Sequence, residues 1–521
     1  MNRNTLLTLV RNHTQKIWDV VIIGGGATGA GIALDSASRG FSTLLLEQDD
    51  FGKGTSSRST KLIHGGVRYL AQGDLVLVIE ALKERGLMLK NAPHLTFNQE
   101  FVIPVYSWWE ALKYTVGLKF YDILAGRLSL GKSRFISRTE TLNRLPNLQA
   151  KGLKGGVVYH DGQFDDSRLL ISLIRTVVEK GGVALNYCGV TGLSKNQDGI
   201  INGVVAKDME TGQKLKIKAR VVINATGVFT DNILKMDRPV MERTIRPSQG
   251  IHLVLDQKFL QGKSAIMIPK TDDGRVLFAI PWYDKLVVGT TDTPVDIISL
   301  EPKALDEEIG FILKTAEKYL LHAPSRKDIL SVFAGLRPLA ANPDDPTATR
   351  EISRRHKIRI SSSRLVTVEG GKWTIYRRMA QDALDKVIKA GMLENKACIT
   401  SQLPVYGVGT DLNKSDRLHI YGNNHQDIRS ISIKHPDTQK PLHHLLPYTH
   451  AEVIWICHHE MPRKVEDILA RRTRALLLDA RASREIAPVV AGIMAHELGF
   501  DEEWIRKQVM EYNALIENYL C

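Results

Sequence analysis

An apolar run, Val20-Val21-Ile22-Ile23, leads straight into Gly24-Gly25-Gly26-Ala27-Thr28-Gly29, and a second apolar run, Thr43-Leu44-Leu45-Leu46, ends on Glu47. Strand, Gly-x-Gly-x-x-Gly, helix, strand and acid in that order predict a βαβ unit that binds a dinucleotide. Gly24 permits the tight turn, Gly26 lets the backbone approach a pyrophosphate, and Gly29 lets helix and strand pack closely. Ala27 and Thr28 open a helix whose N-terminal N–H groups face the anion. Ala30, Gly31 and Ala33 keep that helix slim. Glu47, 23 residues after Gly24, stands where a carboxylate accepts hydrogen bonds from an adenosine ribose.

A second strand of the same kind appears far downstream. Ala219–Asn224 is an apolar run that ends in Ala225-Thr226-Gly227, a turn that lets the backbone approach the same ligand. The 203–206 and 215–218 segments read as a hairpin around Thr211-Gly212. The nucleotide-binding domain is therefore expected to be discontinuous: residues 17–75, 161–235 and 335–400, after an N-terminal tail at 1–16. Residues 76–160 and 236–334 are assigned to a strand-rich substrate domain, with strands expected at 251–255, 276–280 and 285–289. From 401 to 521 helical periodicity takes over, as in Ile486, Val489, Val490, Ile493 and Met494, with Gly499 as a cap. The fold class expected is α/β, with a C-terminal all-helical domain.

The 521 residues suffice for two or three domains. Cys188, Cys398, Cys457 and Cys521 are widely spaced and read as reduced thiols. The N-terminal apolar run 6–10 is too short for a signal peptide, and no stretch reaches the length of a membrane-spanning helix. A cytoplasmic setting is the expectation. The 70 basic against 57 acidic residues leave a net charge of +13. That charge suits nucleic acid, an anionic membrane surface or a phosphorylated substrate, and does not choose among them.

Residues 54–70 are dense in hydroxyls, glycines and bases. Thr55, Ser56, Ser57, Lys61, Leu62, His64, Gly65 and Gly66 fall here, close behind the Glu47 strand, where side-chain hydroxyls and backbone N–H groups can reach a pyrophosphate or a flavin ring. A nicotinamide enzyme has no use for such a segment at this point; a flavin enzyme does.

The whole run from Ser56 to Leu70 resembles the signature of the FAD-dependent glycerol-3-phosphate dehydrogenases. So do residues 334–339 (Ala-Gly-Leu-Arg-Pro-Leu), 370–377 (Gly-Gly-Lys-Trp-Thr-Ile-Tyr-Arg) and 466–473. The resemblance spans residues 17–520. It implies a Rossmann-like FAD-binding domain of the glutathione-reductase type. It also implies oxidation of sn-glycerol 3-phosphate to dihydroxyacetone phosphate, with electrons passing from FAD to a membrane quinone or, in some relatives, to oxygen. By residue, it places Arg337 and Arg350 on the substrate phosphate, with Arg68 and Lys372 completing that cluster and Tyr69 adding a hydrogen bond. It places His252 beside the substrate as the group that takes or orients the hydroxyl proton. Guanidinium groups suit a phosphate dianion, and an imidazole titrating near neutrality suits proton transfer. Gly335, Gly371, Trp373 and Thr374 join the cofactor set, with Lys372-Trp373-Thr374 expected to open a helix toward the flavin pyrimidine.

The competing functions are a glycerol-3-phosphate oxidase that uses oxygen, and a flavin-bound RNA-binding or RNA-modifying protein; the preferred reading has no nucleic-acid partner and is compatible with a homodimer. The histidines His443, His444, His450, His458 and His459 show no metal-ligand spacing, so no metal is expected. Trp109, Leu112, Val116, Phe120 and Ile123 fall on one face of a predicted helix at 108–124. With its lysines this helix suits peripheral attachment to the inner face of the cytoplasmic membrane; burial inside the protein is the alternative.

Overall fold

The computed structural model describes all residues except 13–14, 72, 241, 272–273, 341–355 and 410–412, and of Arg68 and Ala71 only the backbone. Two sheets organise it. In the first, strands Val366–Glu369, Lys214–Asn224, Ile17–Ile23, Thr43–Leu46 and Val183–Leu185 lie side by side in parallel, with Lys357–Ile360 antiparallel at one edge. Val20–Ile23, Leu44–Leu46 and Val221–Ile223 are buried throughout, as a parallel sheet covered on both faces requires. The hairpin of Ile201–Asp208 and Lys214–Asn224 forms around Thr211-Gly212, as expected. Helix Ala27–Ser38 packs on one face, and Gly31 is the point of closest approach. A Cβ there would meet the Tyr376 ring of helix Tyr376–Lys389 at 2.9 Å.

The second sheet has ten strands and is antiparallel except where Ala265–Ile268 meets Thr96–Val105. Its spine is the long pair Ile245–Asp256 and Ile329–Ala340, flanked by Lys285–Gly289 and Leu277–Trp282. Three boundaries shift from those expected. Strand Gly155–Phe164 carries this sheet past residue 160, Ile329–Ala340 carries it past 334, and Leu62–Ile63, inside the nucleotide-binding segment, pairs with Gly162 and Gln163. In each case a strand takes its partner from across the chain, so local composition does not mark where it ends.

The C-terminal part is helical apart from the short hairpin Pro441–His443 and Leu446–Thr449. Helix Ala480–Leu498 stops at Gly499, which adopts φ +73° as a C-terminal cap. This part is fastened to the first domain by charge. A π-helical turn, Asp467–Arg472, and the residue two beyond it bring Arg471, Arg472 and Arg474 into the interior, each no more than 2% exposed. Arg471 and Arg472 close on the buried Asp50, Arg472 donating to Oδ1 at 2.8 Å. Arg474 donates to Asp166 Oδ1 at 3.0 Å. Nearby, Arg168 and Glu460 form a bidentate pair at 2.6 and 2.8 Å.

Removing one side of a buried pair leaves the other charge uncompensated. Asp50→Ala, which leaves Arg472 with the Glu460 carbonyl and Arg471 with Glu466 and Asp467, should lower the unfolding free energy by about 3–5 kcal/mol, read as an earlier urea midpoint with an unchanged slope. A shift within error of wild type would show that water or another carboxylate replaces Asp50.

Candidate functional site

The dinucleotide turn has the geometry its sequence predicts. Gly24 adopts φ +106°, and a Cβ there would meet the Ala225 carbonyl oxygen at 2.7 Å, so the turns after the two central strands press together. At Gly29 a Cβ would fall 1.8 Å from the Gly24 carbonyl oxygen. Gly26 precedes helix Ala27–Ser38 with no side-chain cap, so the first N–H groups of the helix are left for a ligand or for neighbouring side chains. One is taken: Ala27 N–H donates to Ser56 Oγ at 2.9 Å, drawing the 54–70 segment over the turn. Glu47 stands at the end of its strand, accepting from Gly25 N–H at 2.6 Å and Asp49 N–H at 2.9 Å. Desolvation pushes its carboxyl up to about 7. Uncapped N–H groups, a close-approach glycine and a carboxylate wanting further donors fit the pyrophosphate and ribose of FAD. Thr226 and Gly227 follow Ala225 and open a 3₁₀ turn at Gly227–Phe229.

A cavity of about 290 Å³ lies between the 55–69 loop, the second sheet and the 370–374 turn, a volume near the lower end for small-molecule sites. Its walls come from distant parts of the chain. The 55–69 loop supplies Thr55, Thr60, Leu62, His64, Gly66 and Tyr69; the sheet supplies His252, Gly335 and Arg337; the 370–374 turn supplies Gly371, Lys372, Trp373 and Thr374. Strand pairing explains how His252 and Arg337 meet. Ser248 faces Arg337 across the ladder, and residues 248, 250 and 252 point to one side of the sheet. Ile251 and Leu253 point to the other, into a separate apolar core. Glycines at the facing positions 250 and 335 make the room. A Cβ at Gly250 would strike the Arg337 guanidinium at 2.3 Å, and one at Gly335 would press on Arg58 at 3.0 Å.

Arg337 is held rather than free to fork. Its NH1 donates to the Gln249 carbonyl and Asp292 Oδ1, both at 3.2 Å; its NH2 donates to Thr290 Oγ1 at 3.0 Å and the Thr291 carbonyl at 2.9 Å. Four donor contacts on protein oxygens leave it acting chiefly as a fixed positive charge on the cavity wall. Lys372 Nζ lies 4.6 Å from the centre of the Tyr69 ring, which packs back over Gly66, where φ is +84°. Arg68 sits on the helix Val67–Ala71 beside Tyr69; Arg350 lies outside the described residues.

His252 corrects one expectation. It is 2% exposed, its ring stacks on Phe333 at 4.8 Å and its Nε2 lies 3.0 Å from Thr60 Oγ1. Burial first, then the charges of Lys61 and Arg337, push its pKa well below the ordinary value. Burial and these charges favour the neutral imidazole over one titrating near pH 7.

Lys61 is a second correction. It does not line the cavity. It is fully buried, and its Nζ donates to the Ser57 carbonyl and to Asp166 Oδ2, both at 2.7 Å. Ser57 turns inward with it, its carbonyl also accepting from Arg474 at 2.8 Å. Gly65 contributes an N–H to Asp161 at 3.3 Å rather than to the open space. The helix expected at Lys372 begins instead as a 3₁₀ turn, Trp373–Ile375, with the α-helix proper starting at Tyr376. Trp373 Nε1 donates to the Ser56 carbonyl at 2.8 Å, which ties this turn to the 54–70 loop.

Thr60, Thr290, Thr291 and Asp292 line the cavity without having been singled out in the sequence. The polar run Thr290-Thr291-Asp292 directly after an apolar strand was the available signal. No group of metal ligands occurs among the described residues; His443 and His458 pair with Glu485 and Glu497 instead.

The family model for FAD-dependent oxidoreductases matches residues 19–371, and that for the C-terminal domain of α-glycerophosphate oxidase matches residues 361–505. A probable mitochondrial glycerol-3-phosphate dehydrogenase of Caenorhabditis elegans is 38% identical over 96% of this chain and 73% of its own length. The mitochondrial glycerol-3-phosphate dehydrogenase of Schizosaccharomyces pombe is 37% identical over 98% and 88%. Among solved structures, the glycerol-3-phosphate dehydrogenase of Bacillus halodurans, complexed with FAD, superposes with a TM-score of 0.80 at 29% identity, covering 99% of this chain and 97% of that one. With its dinucleotide turn, two-sheet cavity and helical C-terminal part accounted for together, the chain belongs to the FAD-dependent oxidoreductases, within the glycerol-3-phosphate dehydrogenase family.

Proposed function

We propose that this protein oxidises sn-glycerol 3-phosphate to dihydroxyacetone phosphate with FAD and passes the electrons to a membrane quinone. The observation that carries this is the placing of an imidazole, His252, with two cations, Arg337 and Lys372, on one cavity whose 55–69 loop is tied to the dinucleotide turn by the hydrogen bond from Ala27 N–H to Ser56 Oγ. FAD, when bound, supplies the two-electron acceptor. The turn Gly24–Gly29 and Glu47 would hold its adenosine diphosphate half, and residues of the 55–66 and 371–374 segments, which border the cavity, would hold its flavin half. Arg337 and Lys372 bind the phosphate dianion and fix the glycerol carbon chain. His252, being unprotonated, has a lone pair to receive the hydroxyl proton as the adjacent C–H bond breaks. Arg337, whose charge adds to burial and Lys61 in lowering that residue's pKa, also stabilises the alkoxide that develops on the substrate oxygen.

The membrane part of the proposal draws support from helix Trp108–Ala125. The face expected from its sequence is bare: Trp109 is 78% exposed and Ile123 72%, and Leu112, Val116 and Phe120 are exposed between them. Its opposite side, through Ala111, Leu118 and Tyr121, is buried. The stripe side chains are exposed rather than packed within the chain. Val76 and Ile79, on the neighbouring helix Leu75–Asn91, extend the exposed apolar surface. Burying each large side chain gains about 1.5–3 kcal/mol, and the exposed Lys113 and Lys119 add attraction to anionic lipid. No helix among the described residues is long and apolar enough to cross a membrane.

Anaerobic addition of glycerol 3-phosphate should bleach the absorbance of the bound flavin; an unchanged spectrum would overturn the proposal. Oxygen uptake without added quinone, at a rate matching substrate oxidation, would replace quinone with oxygen as the acceptor. Arg337→Ala should cost about 1.5–3 kcal/mol of binding, a rise in KM of roughly 10- to 150-fold, with FAD retained. Unchanged kinetics would remove Arg337 from the substrate.

FAD affinity should depend on pH through Glu47. Without ligand its carboxyl sits at about 7, whereas ribose hydroxyls donate to the ionised form, so binding releases a proton. Affinity should therefore be full above pH 7 and fall as the pH drops below it, measured by quenching of flavin fluorescence. Glu47→Gln should flatten the dependence; a wild-type profile in that variant would place the titration elsewhere.

Anionic liposomes should float the wild-type protein and not the double variant Trp109→Glu, Phe120→Glu. Equal flotation of the two would move the contact to another surface, and no flotation of wild type would end the membrane proposal.

A further inference from the structure

We propose that Asp166 is a positioning residue for His252, acting through the turn that carries Thr60. Asp166 is fully buried and gathers five donors. On Oδ2 it receives Ser59 N–H at 3.0 Å, Ser59 Oγ–H at 2.7 Å and Lys61 Nζ at 2.7 Å. On Oδ1 it receives Ser167 N–H at 2.8 Å and Arg474 NH2 at 3.0 Å. The two residues clamped on Oδ2 flank Thr60, whose hydroxyl lies 3.0 Å from His252 Nε2.

The turn needs such a clamp. Lys61 has φ +64°, a left-handed conformation that a residue with a side chain adopts only where its surroundings impose it. Those surroundings include Asp166 and the Ser57 carbonyl on the Lys61 Nζ, the Trp282 and Phe333 rings beneath it at 5.4 and 5.1 Å, and the Phe164 N–H that donates to the Lys61 carbonyl at 3.0 Å. Thr60 in turn is the polar tether of the imidazole. Phe333 stacks on the ring, and Gly289, where a Cβ would fall 2.4 Å from Cδ2, closes in beside it. Nδ1 has no hydrogen-bond partner among the described residues. Stacking fixes the plane of the ring but not its rotation within that plane; the contact of Nε2 with the Thr60 hydroxyl, which can donate or accept, holds that rotation. The charged groups nearest this unit are Lys61 and Arg474 on Asp166, Asp165 at 3.8 Å from Arg474, and Arg337 across the cavity. Because Asp166 lies on helix Asp166–Glu179 and Arg474 comes from the C-terminal part, the edge that His252 presents is set by three distant segments of the chain.

The inference rests on the proposed role of His252 in oxidising glycerol 3-phosphate, and its test has an arm that needs no substrate. In [15N]histidine NMR spectra, with the His252 signal assigned by its loss in His252→Asn, both Thr60→Val and Asp166→Asn should shift the His252 Nε2 resonance. In rapid mixing, Thr60→Val should slow reduction of the bound flavin at saturating substrate by about 10- to 100-fold while changing the substrate dissociation constant less than about 3-fold, since the tether matters most as the proton moves. Thr60→Ser, which keeps the hydroxyl, should restore the rate. Asp166→Asn should slow reduction per bound FAD as well, and the double variant should be no slower than the slower single one, because both changes act on one contact. Should Asp166→Asn not fold, Ser59→Ala, which removes one of the five donors, takes its place in both arms. Slowing that multiplies in the double variant, or a His252 resonance unmoved by loosening Asp166, would overturn the proposal. If glycerol 3-phosphate fails to reduce the wild-type flavin, the proposed function fails, and the NMR arm still decides whether Asp166 sets the imidazole.

Discussion

Three guanidinium groups driven into the interior by one turn of the C-terminal part hold this molecule in its working shape. Arg471 and Arg472 close on Asp50, just beyond the strand that ends at Glu47, and Arg474 closes on Asp166, below the loop that bears Thr60. Buried charges are tolerated only when paired and hydrogen-bonded. The π-helical turn, the Glu47 strand end and the 54–70 loop therefore cannot take up independent positions. The C-terminal part is in this sense a component of the dinucleotide and substrate sites, although none of its residues lines the cavity.

The same economy of charge governs the cavity. Arg337 is held by four protein oxygens, and Lys372 stands over an aromatic ring. Fixed cations of this kind suit a phosphate dianion, and Arg337 adds to burial and Lys61 in lowering the pKa of His252. Asp292 tempers the effect by taking one edge of Arg337. In the proposed role an imidazolium would have no lone pair to offer; the depressed pKa leaves that lone pair available while making the ring a weaker base.

The exposed apolar helix is joined to the cavity through its buried side. Tyr121 packs against Val78 and Leu82 and donates to Asp161, which also accepts from Arg85 at 2.7 Å and from the Gly65 N–H of the cavity loop. Asp161 is itself a cavity residue. The surface proposed to meet lipid and the loop proposed to border the flavin thus share one buried hydrogen-bonded cluster, which explains why this helix carries polar residues on a side that packing alone would make apolar.

What the sequence by itself determined is whatever local chemistry dictates. The βαβ unit was legible because Gly24, Gly26 and Gly29 each answer a steric demand of a single turn, and Glu47 ends a strand at a fixed distance along the chain. The alternation that sends Ile251 and Leu253 to the core and His252 to the cavity was legible for the same reason, as was the bare face of helix Trp108–Ala125, since side-chain direction follows from helix and strand periods alone. Family resemblance added the roles of Arg337 and His252 but not their surroundings. Only the tertiary structure decided that Lys61 turns inward to Asp166, that Arg337 is held at its edges, that His252 is neutral, and that Arg471, Arg472 and Arg474 are buried. Each of these depends on partners between 45 and 422 residues away in the chain. A pKa or a buried ion pair is a property of the space around a group, and that space is assembled from segments whose meeting no local pattern records.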